Sequence, residues 1–233
     1  NAFDGYSESF TVDRTAPEII FDGVKDRSAN NGEVNLSVFI RDENITSDRI
    51  SIKVTGANQG EITENAGILE RVSDGYVFRF SEFTKEKKTD DIYTVTVNAE
   101  DSAENKSTGT LVFSINRFGS TYVFDDSTLI IANSYINKPS DVVLHEINAD
   151  TILMEKTIIQ VIKDSEITEL KKDRDYTVRC TGGNGSWYDY QYTINAENFE
   201  DDAAYQVVIL TEDAAGNRNA NSVEEKSAVL KFG

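Results

Sequence analysis

Two acidic turns of one type carry the residues of this chain that are best suited to bind a metal. The ligands that they could supply are Glu100, Asp101 and Asn105 in the first turn and Glu212, Asp213 and Asn217 in the second. Carboxylate and amide oxygens are hard ligands of the kind that calcium prefers. In the alternative interpretation, which we favour, each aspartate accepts hydrogen bonds from backbone amides of its own turn. EF-hand spacing is absent from the sequence.

A second calcium candidate lies at the boundary between the two halves of the chain. Asp125 and Asp126 follow the connector, and Asp42, Glu43 and Asn44 follow a strand of the first half. Cadherin-like arrays are stiffened by calcium at such boundaries, but a cage of about six to eight oxygens cannot be assembled from sequence alone. Calcium is the one cofactor that stays open, and no other cofactor is predicted.

An aromatic cluster in the second half could form a flat surface for a sugar. Trp187 could stack on a sugar ring, while Asp189 and Gln191 could bond its hydroxyl groups. The tyrosines at alternate positions beside them fall on the other face of a strand, where a core role is expected. Trp187 follows a glycine-rich loop, so it either packs under that loop or contacts a partner.

No residue set predicts a reaction. The only histidine, His145, and the only cysteine, Cys180, both lie in runs typical of strands, and neither has a recognisable catalytic partner. Nucleophile elbows, phosphate-binding loops and metalloprotease helices are also absent from the sequence. We therefore predict that the chain is not an enzyme.

The charge of the chain argues against several kinds of partner. Lys and Arg total 23 against 41 Asp and Glu, which gives a formal net charge of −18. This field repels nucleic acid and anionic membrane surfaces. No apolar run approaches the roughly 20 residues that span a bilayer, so no membrane insertion is predicted. The single cysteine excludes an intrachain disulfide, which fits a cytosolic or a bacterial surface protein.

Short alternating runs, separated by clusters of Gly, Asn, Asp and Ser, predict that strands position all these candidates. The predicted strands of the first half are residues 18–22, 33–41, 49–54, 76–80, 93–100 and 110–115. Those of the second half are residues 121–124, 141–148, 157–163, 167–170, 175–179, 187–194, 205–211 and 226–232. The pattern admits short helical turns at residues 82–88 and 197–202, and no longer helix is expected.

A long repeat shows that the chain is an array of one β-module. Residues 76–105 match residues 188–217 in register, with aromatics at alternate positions, an acidic turn, a tyrosine and an Asp-x-Ala-x-Asn turn. Arrays of this kind are typical of proteins that bind or space rather than catalyse. An insertion in the second module is expected around residues 152–173.

A shorter repeat marks the joints between modules. Residues 10–22 match residues 113–125, and each copy spans the end of one module, a short connector that begins with Arg14 or Arg117, and the first strand of the next module. The predicted division is residues 1–14 as the last strand of a preceding module plus connector, residues 15–117 as the first domain and residues 118–233 as the second.

Tyr93 and Tyr205 hold the same position in the long repeat, where each opens a strand just after an acidic turn. In sandwich folds, a tyrosine at this position anchors a corner. Its ring enters the core and its hydroxyl bonds to upstream backbone. We predict this structural role for both residues.

Four segments resemble the bacterial Ig-like (Big-type) repeats of large Gram-positive cell-surface proteins. They are DRTAPEI at residues 13–19, EDSAEN at 100–105, GSWYDYQYTI at 185–194 and EDAAGN at 212–217. Modules of that family often end their penultimate strand with Asp-x-Ala-Gly-Asn, and the next module begins near Thr-Ala-Pro. The first copy departs from the pattern, with Glu104 where Gly is usual. The resemblance implies an all-β fold of two tandem immunoglobulin-like β-sandwiches with Greek-key antiparallel sheets.

The resemblance also implies a function. The expected role is a non-catalytic segment of a bacterial cell-surface protein, acting as stalk, spacer or adhesion scaffold. The alternatives are a glycan- or protein-binding module that uses the Trp187 loop, and an accessory domain of a secreted carbohydrate-active enzyme. The expected location is extracellular, on the cell surface or cell wall, with signal and anchor outside this segment. Expected partners are a host glycan or protein, or neighbouring Ig-like modules.

Overall fold

The computed structural model describes residues 10–200, 202–221 and 229–232. Within these residues the strands form two β-sandwiches, one on each side of a connector at residues 116–120. The described residues contain no helix whose length and hydropathy would let it cross a membrane.

The first sandwich pairs a four-stranded sheet with a five-stranded one. Its strands are β1 (Glu18–Asp22), β2 (Ser28–Asn30), β3 (Ser37–Arg41), β4 (Ile50–Gly56), β5 (Gly60–Glu61), β6 (Gly67–Val72), β7 (Gly75–Phe80), β8 (Asp91–Glu100) and β9 (Lys106–Ile115). One sheet has the order β1-β3-β7-β6 and the other β2-β9-β8-β4-β5. Neighbouring strands are antiparallel except β2 and β9. Short 3-10 turns lie at Ser47–Arg49, Thr63–Asn65 and Lys87–Thr89.

The second sandwich follows the same plan. Its elements are β10 (Thr121–Phe124), α1 (Asp126–Ile131), β11 (Tyr135–Ile136), β12 (Val142–Asn148), β13 (Ile158–Lys163), β14 (Glu166–Glu169), β15 (Tyr176–Gly183), β16 (Ser186–Ile194), β17 (Ala204–Glu212), β18 (Arg218–Ala220) and β19 (Val229–Phe232). The sheet orders are β10-β12-β16-β15 and β11-β19-β17-β13-β14, with β18 also paired to β17. Strands β11 and β19 are parallel. Short 3-10 turns lie at Met154–Lys156 and Ala196–Phe199.

Both sandwiches have the strand order of the immunoglobulin fold. In the first sandwich β1 pairs with β3 and β3 with β7, whereas β4 lies in the opposite sheet. In the second, β10 pairs with β12 and β12 with β16, whereas β13 lies in the opposite sheet. This is the arrangement of sheet ABED facing strands C, F and G. The predicted fold class, tandem immunoglobulin-like β-sandwiches of mainly antiparallel sheets, is confirmed.

Each sandwich has a hydrophobic core of its own. Alternation along the central strands turns one face of each sheet inward. The most buried members are Val38, Ile40, Val54, Val95 and Val97 in the first core and Leu144, Ile159, Tyr192, Ile194, Phe199 and Ile209 in the second. The aromatic face of the long repeat joins both cores, as its period of two predicts. The two clusters share no residue, so each domain has a separate core.

Every predicted strand overlaps an observed one, although residues 226–228 of the last lie outside the described residues. The pattern missed β2, β5, β6, β11 and β18, which are short or largely exposed and lack clean apolar alternation. Residues 10–13 form no strand, and residues 1–9 lie outside the described residues. That these residues are the last strand of a preceding module, and that the domains divide after residues 14 and 117, stays a prediction.

Helix α1 has six residues and lies at a position that the sequence pattern did not indicate, but it is no longer than the helical turn predicted at residues 82–88. The Asp125 side chain caps it by accepting a hydrogen bond from Thr128 N at 2.9 Å. The helix lies in the segment between β10 and β12, residues 125–141. The equivalent segment of the first domain, between β1 and β3, is shorter and spans residues 23–36. Part of the extra length of the second domain is therefore here, and not only around residues 152–173 as predicted. Six residues are too few for a helical apolar stripe to be recognised.

Candidate functional site

The connector between the domains is held by a buried side-chain amide. Asn116 is 1% exposed. Its Nδ2 donates to Asn148 Oδ1 at 2.8 Å, to Asp150 Oδ2 at 3.0 Å and to Asp213 Oδ2 at 3.1 Å. Asn116 follows the last strand of the first domain, whereas its three partners belong to the second. The bonds therefore join the two domains directly.

The hydrogen bonds among Asn116, Asn148, Asp150 and Asp213 form a network at the junction of the two domains, and Asp213 is its centre. Besides Asn116, its Oδ2 accepts hydrogen bonds from the side-chain amides of Asn148 at 3.1 Å, Asn217 at 3.0 Å and Asn219 at 3.4 Å. Its Oδ1 accepts from Asn217 N at 2.9 Å. Asp213 is fully buried, and amide dipoles of this kind can stabilise a buried carboxylate that has no ion pair.

A second carboxylate reaches from the second domain into the first. Asp150 Oδ1 accepts a hydrogen bond from Ser114 Oγ at 2.5 Å, on the strand that ends the first domain. Burial raises the pKa of Asp150, against the hydrogen bonds from Ser114 and Asn116, and the charges of Asp213 and Asp90 raise it further. The junction thus holds two neighbouring buried acids with amide and hydroxyl donors around them.

The Trp187 loop, which is the turn between β15 and β16, contacts the first domain at another point of the junction. Trp187 is half-buried, and its Nε1 donates to Asp91 Oδ1 of the first domain at 2.7 Å. The backbone amides of Asn58 and Gln59 also donate to the Asp91 carboxylate. The loop can turn back tightly because Gly182 has φ 93°, and a Cβ there would lie 2.0 Å from the carbonyl oxygen of Trp187. The partner of Trp187 is therefore the neighbouring domain.

The connector is also fixed to the domain that it leaves. Arg117 Nε lies 3.1 Å from Asp90 Oδ1, and both side chains are almost fully buried. Asp90 Oδ2 accepts from the backbone amides of Arg117 at 2.6 Å and Phe118 at 2.8 Å. Gly119 then takes φ 65°, and a Cβ there would lie 2.0 Å from Asn219 Oδ1. The connector thus has little freedom to bend.

Two cavities flank the junction. One of about 310 Å³ lies between the domains and is lined by Ile92 and Phe113 on one side and Asp150 and Tyr188 on the other. A larger one of about 670 Å³ lies in the first domain, beside Phe83, Lys85 and Arg117. Neither contains the residues predicted to bind a sugar.

Close to the junction, the second core contains a fully buried acid. Glu146 Oε1 accepts from Ser120 Oγ at 2.5 Å, Tyr122 OH at 2.9 Å and Thr211 Oγ1 at 2.6 Å, and Oε2 accepts from Tyr192 OH at 2.7 Å. Burial, then the charge of Glu146, raises the pKa of both tyrosines. The four hydroxyls satisfy the carboxylate without a cation.

The structure places the first predicted calcium residues in two separate sets. Asp101 Oδ1 accepts from the backbone amides of Ala103 at 2.8 Å and Asn105 at 2.9 Å, and Oδ2 accepts from Asn105 Nδ2 at 2.8 Å. This is the Asx-type turn. Burial opposes ionisation of Asp101, but these hydrogen bonds outweigh it and lower the pKa. Glu100 pairs instead with Arg49 and Lys106.

The second turn is arranged alike, with Glu212 paired to Lys156 while Asp213 and Asn217 bond to each other. The boundary candidate is not assembled. Asp125 caps α1 in the second domain, whereas Asn44 contacts Asp13 at the far end of the first domain. Calcium binding at either turn stays a prediction.

The predicted sugar-binding residues lie on the outer face of β16. Asp189 Oδ1 is 2.8 Å from His145 Nδ1, and Gln191 Nε2 is 3.4 Å from His145 Nε2. Cys180 lies exposed on the neighbouring strand β15. Trp187 shares the outer face with Asp189 and Gln191, but its indole nitrogen is bonded to Asp91. Sugar binding by these residues also stays a prediction.

The two corner tyrosines are buried in the cores. Tyr93 OH donates to the carbonyl oxygen of Thr89 upstream at 2.8 Å and accepts from Gln59 Nε2 at 2.6 Å. Burial raises the pKa of Tyr93 to about 12. Tyr205 packs edge-on against Phe199, with ring centroids 5.3 Å apart.

Sequence reasoning missed the junction residues Asn116, Asn148, Asp150 and Asp91. A signal existed for the first, because the short repeat aligns Asn116 with Asp13 directly before the aligned arginines. Nothing in the local pattern marks Asn148 or Asp150. They meet Asn116 only because distant segments come together in the fold.

Comparisons with known proteins add similarity of fold alone. No protein-family profile matches the sequence, and no curated protein matches it significantly. Among solved structures, a titin fragment is 12% identical over 94% of this chain and 100% of its own, with a TM-score of 0.42. A chimeric tandem of titin Z1 and Z2 repeats is 12% identical over 93% and 99%, with a TM-score of 0.28. An I-band titin fragment is 14% identical over 94% and 66%, with a TM-score of 0.33.

Proposed function

We propose that the chain is a stiff, non-catalytic stalk segment of a bacterial cell-surface protein, in which two Ig-like modules hold a fixed arrangement and space another part of that protein from the cell. The carrying observation is the buried polar network across the junction. A freely bending joint would expose Asn116, Asp150 and Asp213 in turn and break their bonds. Each buried polar group left without a partner costs about 1–3 kcal/mol.

Other features support a bacterial cell-surface location and a non-catalytic role. The Asp-x-Ala-x-Asn turns and the Thr-Ala-Pro connector resemble repeats of bacterial surface proteins, and the lone cysteine fits a bacterial surface protein as well as a cytosolic one. A passive role is supported by His145, whose ring hydrogen-bonds to Asp189 and Gln191, neither of which is a hydroxyl or thiol nucleophile.

Small-angle scattering of two chains tests the proposal. The first is the chain itself, and the second carries a Gly-Ser-Gly-Ser insertion after Gly119, which lengthens the connector without touching either core. The native profile should fit one rigid arrangement, whereas the insertion should require an ensemble with a larger maximum dimension. A native profile that already requires an ensemble of domain arrangements contradicts the stalk.

A further inference from the structure

The chain enters both domains along the same path. Asn217 Nδ2 donates to the carbonyl oxygen of Asn116 at 2.7 Å, where the chain enters the second domain. At the far end of the first domain, Asn105 Nδ2 donates to the carbonyl oxygen of Asp13 at 3.4 Å. Asp13 Oδ2 also accepts from Asn44 Nδ2 at 3.0 Å. Asp13 thus meets the turn of the first domain as Asn116 meets the turn of the second.

The residues just before Asp13 have the side chains of a last strand but join no sheet. Phe10 is 89% exposed and Val12 is 66% exposed. Their counterparts in the short repeat, Phe113 and Ile115, are each 1% exposed in the first core. Two large apolar side chains at alternate positions fit one face of a strand that packs on a core.

Arg14 continues the same pattern. Its counterpart, Arg117, forms a buried ion pair with Asp90, at the corner of the domain that the chain is leaving. Arg14 is exposed and has no ion pair with any described residue. A carboxylate at the corner of another module would give Arg14 the same partner.

We propose that the end of the first domain formed by Asp13, Asn44 and Asn105 docks a further Ig-like module, whose last strand includes Phe10 and Val12 and whose corner carboxylate binds Arg14. The inference rests on the proposed stalk function, since it extends the same stiff joint by one module. The partner is defined by its chemistry: an Ig-like sandwich that lacks the end of its last strand and carries an acidic corner.

A fusion tests the docking. A second copy of residues 15–112 is placed directly before residue 10 of the chain, so that residues 10–14 replace residues 113–117 of the added copy. The added copy should show its own cooperative unfolding transition. Backbone amides of residues 10–14 should exchange about tenfold or more slowly than in the unfused chain, because they become part of a sheet.

Matched variants make the outcome decisive. The fusion with Phe10→Asp and Val12→Asp should lose both the transition and the slow exchange. Arg14→Ala should lower the midpoint of the added transition in the fusion and leave the unfused chain unchanged. If the added copy stays unfolded, or folds while residues 10–14 exchange as fast as before, docking is wrong. Failure of the stalk function is separate, because it is read from the unfused chain by scattering.

Discussion

The two Asp-x-Ala-x-Asn turns have the same local structure and different surroundings. Asp101 accepts its side-chain hydrogen bonds from Ala103 and Asn105, within its own turn. Asp213 makes the equivalent bonds to Asn217 and accepts further ones from elsewhere, including Asn116 of the other domain. The turn is therefore a local solution to backbone hydrogen bonding. The turn joins two domains only where a side-chain amide of the other domain, such as that of Asn116, hydrogen-bonds to its aspartate.

The largest expected effect separates these two aspartates. Asp213→Ala removes the shared acceptor of several buried amides, so it should lower the free energy of unfolding of the second domain by about 3–5 kcal/mol. Asp101→Ala should have a smaller effect, confined to the first domain. Urea unfolding followed by domain-specific amide signals measures both. Equal losses in the two variants would show that the junction bonds add nothing to the turn.

The two connector arginines give the next contrast. Arg117→Ala leaves the buried Asp90 carboxylate without its ion pair, which should cost the first domain roughly 3 kcal/mol. Arg14→Ala removes an exposed side chain and should leave the melting temperature of this chain unchanged. Calorimetry of both variants checks the pair. An Arg117→Ala chain that melts like the native one would contradict the assignment of Arg117 as the anchor of the connector.

Trp187 marks a further difference, because Gly75 occupies its place in the first domain. Trp187→Phe keeps an aromatic ring and removes the indole donor to Asp91. The coupling between the domains should weaken by about 1 kcal/mol, since the donor is only half-buried. A double-mutant cycle with Asp91→Asn measures this coupling. Additive effects of the two substitutions would mean that the hydrogen bond does not hold the joint.

The smallest expected effect is a pH dependence of the junction. Because the pKa of Asp150 is raised in the fold, its contribution to stability is fully present below the ordinary aspartate value of 3.8 and is lost as pH rises through the folded pKa. Asp150→Asn should therefore gain stability relative to the native chain as pH rises. Urea unfolding of both chains at a series of pH values from below 3.8 upward measures the difference in their free energies of unfolding. If the difference in the free energy of unfolding between the two chains does not change with pH, the pKa of Asp150 is not raised in the fold.

The sequence predicted the parts of this molecule that depend on local pattern. Alternation located the strands, and the long repeat located the equivalent turns and corner tyrosines. The junction was out of reach for a physical reason. Asn148 is the last residue of strand β12 and Asp150 lies just after it, and both contact the connector only in the folded chain. Glu146 was equally hidden, because an acid at an inward strand position becomes tolerable only once four hydroxyls from other segments surround it.

Residual dipolar couplings measured in one alignment medium test the rigid junction most directly. If the two domains form one body, a single alignment tensor will fit the backbone N–H couplings of residues 18–115 and 121–220 together. If the two ranges require tensors of different magnitude or orientation, the domains move independently and the rigid joint is wrong.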